Sequence, residues 1–168
     1  HYEKFADLAV DHLPHDAVAS DYKTWAGYLI HKQDTARLTR VLTEYYERGL
    51  YPAEELQYHF NELQGMEEGA VYLAPHEGNI IGKLILQLVK GVHRDKILYD
   101  ENCAVWKEYV GSVFKRIGMD FDDALWDKLW SSFQSESYPR IFRHICTHSK
   151  RPIYVSATSV SWFSLGEG

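Results

Sequence analysis

Four carboxylates lie close together in the segment DFDDALWD at residues 120 to 127, namely Asp120, Asp122, Asp123 and Asp127. Clustered carboxylates could bind magnesium, which prefers oxygen ligands. Acidic side chains are also favoured in the first turn of a helix, because the helix dipole places partial positive charge there. The sequence has no second acidic cluster and no basic phosphate clamp to accompany them. We therefore interpret the segment as a helix start and predict no metal site.

Two pairs of side chains at i, i+4 spacing could each face one ligand: His144 with His148, and Glu55 with His59. A structural zinc ion needs four ligands, and Cys146 between the two histidines points to another face of the predicted helix. Pairs at this spacing on a helix surface commonly make only weak local contacts. We predict that these side chains pack or face solvent and bind no metal.

Motifs for nucleotides or covalent catalysis are incomplete in this sequence. The segment GNIIGK at 78 to 83 has three residues between its glycines, and Leu84 follows the lysine. A phosphate loop needs four residues there and a Ser or Thr after the lysine. There is no G-x-G-x-x-G turn and no G-x-S-x-G elbow. Cys103 and Cys146 are interpreted as small buried side chains. We predict no cofactor and no catalytic residue, so the chain is not expected to be an enzyme.

The charge and the apolar runs limit the classes of partner. The net charge is -6, from 18 basic and 24 acidic side chains without a long block of either sign. Binding to nucleic acid or to anionic lipid depends on clustered basic residues, so neither is expected. The longest apolar runs, such as LILQLV at 84 to 89, are far shorter than the ~20 residues of a membrane span. Two cysteines without C-x-x-C spacing favour a reducing compartment.

Apolar side chains recur at helical spacing in two segments of the chain. The first helix is expected after Asp34, ends at Gly49, and is followed by a second helix that starts near Pro52. The same order recurs around Gly118, where RIGMDFDDAL aligns with ERGLYPAEEL. The offset between the two glycines is 118 − 49 = 69 residues. Helical hairpin repeats have periods of about 33 to 34 residues, so 69 is close to two repeats and leaves room for a middle one.

An amphipathic helix followed by ERGLYP and an acidic helix start resembles the pentatricopeptide repeat. The match covers residues 35 to 60 and, in part, residues 107 to 130, where Phe121 stands in the proline position. The resemblance implies an all-α fold, a short right-handed solenoid of helical hairpins in one domain at 1 to 150. Residues 151 to 168 contain the β-branched and serine-rich IYVSATSVSWF, which predicts an extended C-terminal tail or a strand.

The resemblance also carries an expectation about function. Pentatricopeptide proteins usually bind single-stranded RNA, but a chain of net charge -6 without a basic stripe is poorly suited to that. As a whole the chain resembles the lineage-specific accessory subunits on the catalytic head of euglenozoan mitochondrial ATP synthase. This implies a non-catalytic structural subunit in the mitochondrial matrix, peripheral to the inner membrane, with the ATP synthase alpha subunit as its protein partner.

Two other interpretations stay open. The first is an organellar repeat protein that binds single-stranded RNA. The second is an inactive fragment of a medium-chain reductase, because GNIIGKLILQL also resembles the closing strand of that family. The sequence lacks the dinucleotide turn on which that family's activity depends.

The aromatic side chains are more numerous than the predicted helix faces can bury, with 12 Tyr, 5 Trp and 7 Phe. Aromatic residues are enriched in protein interfaces, where they anchor the contact. We therefore predict that part of them form the partner-binding surface. The candidate residues are Tyr46, Tyr51, Trp126, Trp130, Tyr154, Trp162 and Phe163.

Overall fold

The computed structural model describes residues 2 to 74, 78 to 131 and 134 to 156. Over these residues the protein is mostly helical and also contains a small parallel sheet. Internal contacts divide the chain into two units, which we call the first unit (His1–Gly65 with Ile81–Arg94) and the second unit (Met66–Ile80 with Asp95–Gly168). None of the described helices is both long and apolar enough to cross a membrane.

The first unit is helical. Its elements are α1 (Tyr2–Asp11), α2 (Ala19–Lys32), α3 (Thr35–Glu47), α4 (Ala53–Gln64), residues 81 to 84 of α5 (Gly78–Leu84), and a π-helical segment (Ile85–Val89). Asp34 caps α3 by accepting a hydrogen bond from the Arg37 backbone N–H at 3.0 Å. Gly49 follows α3 with a φ of 65°, which favours glycine. The expected helix, glycine and second helix are therefore confirmed here.

Aromatic and aliphatic side chains together form the core of the first unit. The rings of Tyr22 in α2 and Tyr45 in α3 stack with their centroids 5.2 Å apart. Leu29 and Leu42 are fully buried in the same helices. A stacked aromatic pair adds about 1 kcal/mol to the free energy gained from buried area. The periodic apolar positions of the sequence thus become the contact between α2 and α3.

The second unit is built around three short parallel strands: β1 (Val71–Ala74), β2 (Ile97–Asp100) and β3 (Ile153–Val155). Their order in the sheet is β2-β1-β3, and Ala74 lies opposite Asp100 in the register. The other elements are a 3₁₀ helix (Glu101–Val105), α6 (Lys107–Ile117), α7 (Asp123–Leu129) and α8 (Gln134–His148). The 3₁₀ helix and β2 both pack against α6.

The sheet is the main difference from the fold expected from the sequence, which was all-α. The four residues of β1 and the four of β2 are all buried, so neither strand shows the alternation of polar and apolar side chains that marks a strand in sequence. The C-terminal segment expected to be extended contains β3, which pairs with β1. GNIIGKLILQL, similar in sequence to a reductase strand, is helical.

Candidate acid–base site

The carboxyl ends of the three parallel strands lie at one edge of the sheet, which we call the carboxyl edge. Open parallel sheets bind their ligands outside this edge. The strand β2 ends there with Asp100, which is 0% exposed, and Glu101 follows as the first residue of the 3₁₀ helix and is 5% exposed. The fold therefore places two consecutive buried carboxyl groups at the carboxyl edge of the sheet.

The local backbone holds Asp100 in place from two sides. One carboxylate oxygen, Oδ1, accepts a hydrogen bond from the Asn102 backbone N–H at 2.9 Å and so caps the 3₁₀ helix. The backbone N–H of Asp100 donates to the Tyr109 hydroxyl of α6 at 2.7 Å. These bonds fix the turn between β2 and the 3₁₀ helix, and with it the position of Glu101.

Glu101 has the electrostatic environment of a general acid or base. Burial, followed by the negative charge of the neighbouring Asp100, raises the pKa of its carboxyl group from 4.5 to about 7. Within the described part of the chain, no basic side chain forms an ion pair with Glu101. A carboxyl group with a pKa near neutrality exists in both protonation states, as proton transfer at physiological pH requires.

Three tyrosines surround the two carboxyl groups: Tyr99 of β2, Tyr109 of α6 and Tyr138 of α8. Tyr99 is 0% exposed, and its hydroxyl has no hydrogen-bond partner among the described residues. The Tyr99 and Tyr109 rings lie with their centroids 6.2 Å apart. Burial raises the pKa of all three phenols, and negative charge on Asp100 raises each further. We call these five residues the carboxyl-edge cluster.

A buried hydroxyl without a partner is uncommon, because its lost hydrogen bond with water costs about 1 to 3 kcal/mol. A bound molecule that hydrogen-bonds to Tyr99 would recover that free energy. Tyr138, by contrast, is half-buried, so the cluster extends from the interior of the second unit toward its surface.

A second group of buried ionisable side chains lies in the first unit, where α4 and α5 supply three residues. The Lys83 Nζ donates to the Glu62 carboxylate at 2.7 Å and lies 2.8 Å from the His59 Nδ1. Burial lowers the pKa of Lys83 and of His59, and the positive charge of Lys83 lowers that of His59 further. Burial alone would raise the pKa of Glu62, but its bonds to Lys83 outweigh this and keep the pKa low.

We call Lys83, Glu62 and His59 the basic cluster. Its opposite charges compensate one another, and its lysine is 0% exposed. Gly82 makes the close approach possible, because a Cβ at this position would collide with the His59 ring and the Tyr51 hydroxyl. The weak surface contact that the sequence suggested for His59 is therefore wrong: the ring is buried and contacts Lys83 and Glu62. Since Lys83 and Glu62 compensate each other's charge within the protein, we assign the cluster a structural role.

The aromatic residues predicted to bind a partner are not all accessible. Tyr51 is 6% exposed and packs edge-on against Tyr45 with 5.5 Å between the ring centroids, so its predicted role at a surface is not supported. Tyr46 is half-buried, and Lys90 Nζ lies 4.7 Å from its ring centroid. Tyr154 lies in β3, half-buried. Trp162 and Phe163 are outside the described residues.

Trp126 and Trp130 form the aromatic surface that best fits the prediction. Trp126 lies in α7 and Trp130 directly follows it, and their rings stack with a centroid distance of 5.0 Å and an angle of 9°. Phe121 adds an edge contact to Trp126 at 6.2 Å. Both tryptophans are half-buried. We call Phe121, Trp126 and Trp130 the aromatic row.

The acidic segment at 120 to 127 starts a helix, as the sequence predicted. Asp122 Oδ1 accepts a hydrogen bond from the Leu125 backbone N–H at 2.7 Å and caps α7. Asp123 forms an ion pair with Lys107 at 2.7 Å. These carboxylates therefore have structural partners. The rings of His144 and His148 stack on each other with 4.1 Å between centroids, so this pair packs as expected.

Sequence reasoning missed Asp100 and Glu101. The available signal was the short apolar run ILY followed directly by two acidic residues, as at the end of a buried strand. That run is too short to distinguish a strand from a piece of helix. Only its pairing with β1 shows that the two carboxyl groups lie at a carboxyl edge.

Taken together, the elements describe a mostly helical protein with a small parallel sheet and a polar cluster at the carboxyl edge. Comparisons with known protein families, with curated proteins and with solved structures found no match for this chain. The resemblance to pentatricopeptide proteins therefore gains no support from relatives and rests on the sequence segments quoted above.

Proposed function

We propose that the second unit binds a small polar molecule at its carboxyl edge and exchanges a proton with it through Glu101. The observation that carries this proposal is the buried Glu101 carboxyl group, directly after β2 and beside Asp100, with a pKa raised to about 7. Burial and the Asp100 charge both favour the protonated form of Glu101, so this carboxyl group can hold or release a proton near neutral pH.

The proposed roles follow from the surroundings of each group. Protonated Glu101 gives its proton to a basic atom of the ligand, and the ionised form takes one from an acidic atom. Asp100 is fixed by Asn102 and the Tyr109 hydroxyl and acts as a positioning residue that keeps the pKa of Glu101 high. Tyr99 supplies a hydroxyl that can hydrogen-bond to the ligand. Proton exchange of this kind is the step that general acid–base catalysis uses, so the proposal departs from the expectation of a non-catalytic chain.

A fragment screen followed by NMR tests this proposal. Isotope-labelled protein is titrated with small alcohols, amines, amides and carboxylic acids, and amide shifts are mapped onto the chain. We expect at least one fragment to shift residues of the carboxyl-edge cluster, and Glu101→Gln to change the pH dependence of that binding. Fragment binding that maps only to other surfaces would contradict the proposal.

The second candidate function is the accessory subunit that the sequence resemblance implied, including its arrangement of hairpins as a right-handed solenoid. The aromatic row favours it, because stacked tryptophans at a surface are typical anchors of protein interfaces. In this proposal the aromatic row contacts the ATP synthase alpha subunit in the mitochondrial matrix.

Affinity purification from mitochondria of the source organism tests the second candidate. It predicts that ATP synthase alpha and beta subunits co-purify in fixed proportion with the intact chain, and that Trp126→Ala with Trp130→Ala reduces their recovery. Recovery of RNA, or of no partner, would remove this candidate. Unchanged recovery with the double variant would exclude the aromatic row as the contact.

A further inference from the structure

We propose that a groove beside the end of α6 binds a zwitterion with an apolar side chain, an amino acid of the size of phenylalanine. The groove has a volume of about 500 Å³. Its lining comes from the second half of α6 and from the turn that leads into α7: Gly111, Lys115, Gly118, Met119, Asp120 and Phe121. None of these residues belongs to the carboxyl-edge cluster, so the site is separate from the proposed acid–base function.

The turn after α6 gives the groove its shape. Gly118 follows α6 with a φ of 85°, and the Met119 backbone N–H donates to the Phe114 carbonyl at 2.9 Å. The Phe121 ring then packs edge-on against the fully buried Phe114 ring, with 5.2 Å between the centroids. Phe121 also lies over Gly111, where an added Cβ would come within 2.9 Å of the ring. Local packing therefore fixes this wall of the groove without a ligand.

The apolar part of the lining suits an apolar side chain of the ligand. Met119 and Phe121 are half-buried, so both still expose part of their surface. Ligand sites are typically clefts of about 300 to 1,000 Å³ with a mostly apolar lining and a few polar groups. The groove falls within this range. An aromatic ligand placed against the Phe121 ring would gain free energy both from buried area and from the contact between the rings.

Two charges of opposite sign complete the lining, since Lys115 and Asp120 both border the groove and are exposed. Among residues 2 to 74, 78 to 131 and 134 to 156, neither side chain has an ion-pair partner. By contrast, Lys107 of α6 pairs with Asp123 of α7 at 2.7 Å. The groove thus offers an ammonium group and a carboxylate that do not neutralise each other.

An amino acid matches both charges. Its carboxylate can accept a hydrogen bond from Lys115, and its ammonium group can donate one to Asp120. A ligand with a single charge would leave Lys115 or Asp120 without a partner. The charges and the apolar wall together therefore favour a zwitterion with a large apolar side chain.

Four probes that differ in charge and in apolar area test the inference: phenylalanine, hydrocinnamate, phenethylamine and glycine. Hydrocinnamate lacks the ammonium group of phenylalanine, phenethylamine lacks its carboxylate, and glycine lacks its ring. Each is titrated at pH 7 into the isotope-labelled full chain and followed by NMR. We expect phenylalanine to shift the backbone amides of residues 118 to 121 and to bind at least threefold more tightly than any of the other three.

Three variants at exposed positions sharpen the test. Lys115→Gln and Asp120→Asn should each weaken phenylalanine binding about threefold to fivefold, because exposed ion pairs contribute modestly. Lys115→Gln should also weaken hydrocinnamate, and Asp120→Asn should also weaken phenethylamine. Arg116→Gln is the matched control, since Arg116 is exposed on α6 but does not line the groove, and it should leave binding unchanged.

Three results would overturn the inference. The first is that none of the probes shifts the groove residues. The second is that hydrocinnamate or phenethylamine binds there as tightly as phenylalanine, which would make the groove a site for one charge only. The third is that Arg116→Gln weakens binding as much as Lys115→Gln does. Each of these results leaves the proposed role of Glu101 standing, because the two sites share no residue.

Discussion

Lys83 in the first unit and Glu101 in the second are both buried ionisable side chains, but their neighbours differ. Lys83 lies 2.7 Å from the Glu62 carboxylate, so opposite charges meet and compensate. Glu101 lies beside Asp100, and both burial and this neighbour raise the pKa of its carboxyl group. A buried ion pair of opposite charges, once formed, is costly to break. A buried pair of like charges is unfavourable by itself and becomes favourable when a proton or a ligand joins it.

This difference in neighbours distinguishes structural from functional ionisable side chains in this protein. Residues with perturbed pKa values are found both in structural ion pairs and in active sites. In the basic cluster the partners belong to the protein itself, and they are largely closed to solvent. In the carboxyl-edge cluster the charge nearest to Glu101 is a second carboxyl group, so burial and charge both oppose its ionisation.

Removing the carboxylate of the basic cluster should have the largest effect. Glu62→Met removes the carboxylate that the fully buried Lys83 contacts at 2.7 Å, and breaking a buried ion pair typically costs about 3 to 5 kcal/mol. Glu54→Met, at an exposed position in the first turn of the same helix, should cost less than about 1 kcal/mol. Urea unfolding measures both. Equal losses for the two variants would show that the basic cluster contributes nothing specific.

The carboxyl-edge cluster should show the opposite behaviour, because burial and the Asp100 charge both oppose ionisation of Glu101. The pKa of Glu101 is about 7 in the folded protein, whereas its ordinary value of 4.5 applies to the unfolded chain. The folded protein therefore binds this proton more tightly than the unfolded chain does. The folded state therefore loses stability as the pH rises from 4.5 through 7, by about 3 kcal/mol in total. Glu101→Gln should remove this loss.

Urea unfolding at pH 5 and pH 8 checks the prediction for Glu101. The difference in the free energy of unfolding between the variant and the wild type should grow in favour of the variant at the higher pH. Glu108→Gln, at an exposed position of α6, is the control. Its free energy of unfolding should match that of the wild type at both pH values. If the unfolding free energies of Glu101→Gln and the wild type changed equally between pH 5 and pH 8, the pKa of the Glu101 carboxyl group would not be raised in the folded protein.

The packing of the basic cluster can be disturbed without changing any charge. Gly82→Ala adds a methyl group that collides with the His59 ring and the Tyr51 hydroxyl, and overpacking of this kind costs about 1 to 3 kcal/mol. Gly65→Ala is a matched control, since the added atom there would lie 3.6 Å from its nearest neighbours. Thermal unfolding should show a clear loss for the first variant and little for the second. Comparable stability of both would mean that the cluster has room to relax.

The smallest effect is expected from His59. Burial, followed by the charge of Lys83, lowers the pKa of its imidazole below 6.5 in the folded protein. The unfolded chain therefore binds this proton more readily, and the stability contributed by neutral His59 is lost as the pH falls below 6.5. His59→Gln should make the unfolding free energy less dependent on pH between 6.5 and 5, as measured in urea. An unchanged dependence would show that His59 is not held neutral.

The helices were largely predictable because their signals are local. Asp34 caps α3 and Gly49 ends it with positive φ, as the sequence indicated, and Asp122 caps α7 in the same way. Capping residues and apolar spacing act within one or two turns, so a single sequence contains them. The expectation of a repeat was drawn from the same local signals, which recur in any pair of helices joined at a glycine.

The sheet and the carboxyl-edge cluster were not predictable because they depend on distant contacts. Val71 pairs with both Ile97 and Ile153, which lie 26 and 82 residues further along the chain. Strands this short and fully buried carry no alternation that would reveal them. Burial of Asp100 and Glu101 is likewise a property of the packed unit, since sequence alone would assign two acidic residues to a surface.

The most direct test of the account is an NMR titration of the Glu101 side-chain carboxyl carbon in the intact protein, assigned with Glu101→Gln. The account predicts a midpoint near pH 7, well above the ordinary value of 4.5, because the carboxyl group is buried beside a second carboxylate. A midpoint near 4.5 would mean that the group is solvated or already compensated. In that case Glu101 would be no acid–base residue, and the difference between the two clusters would disappear.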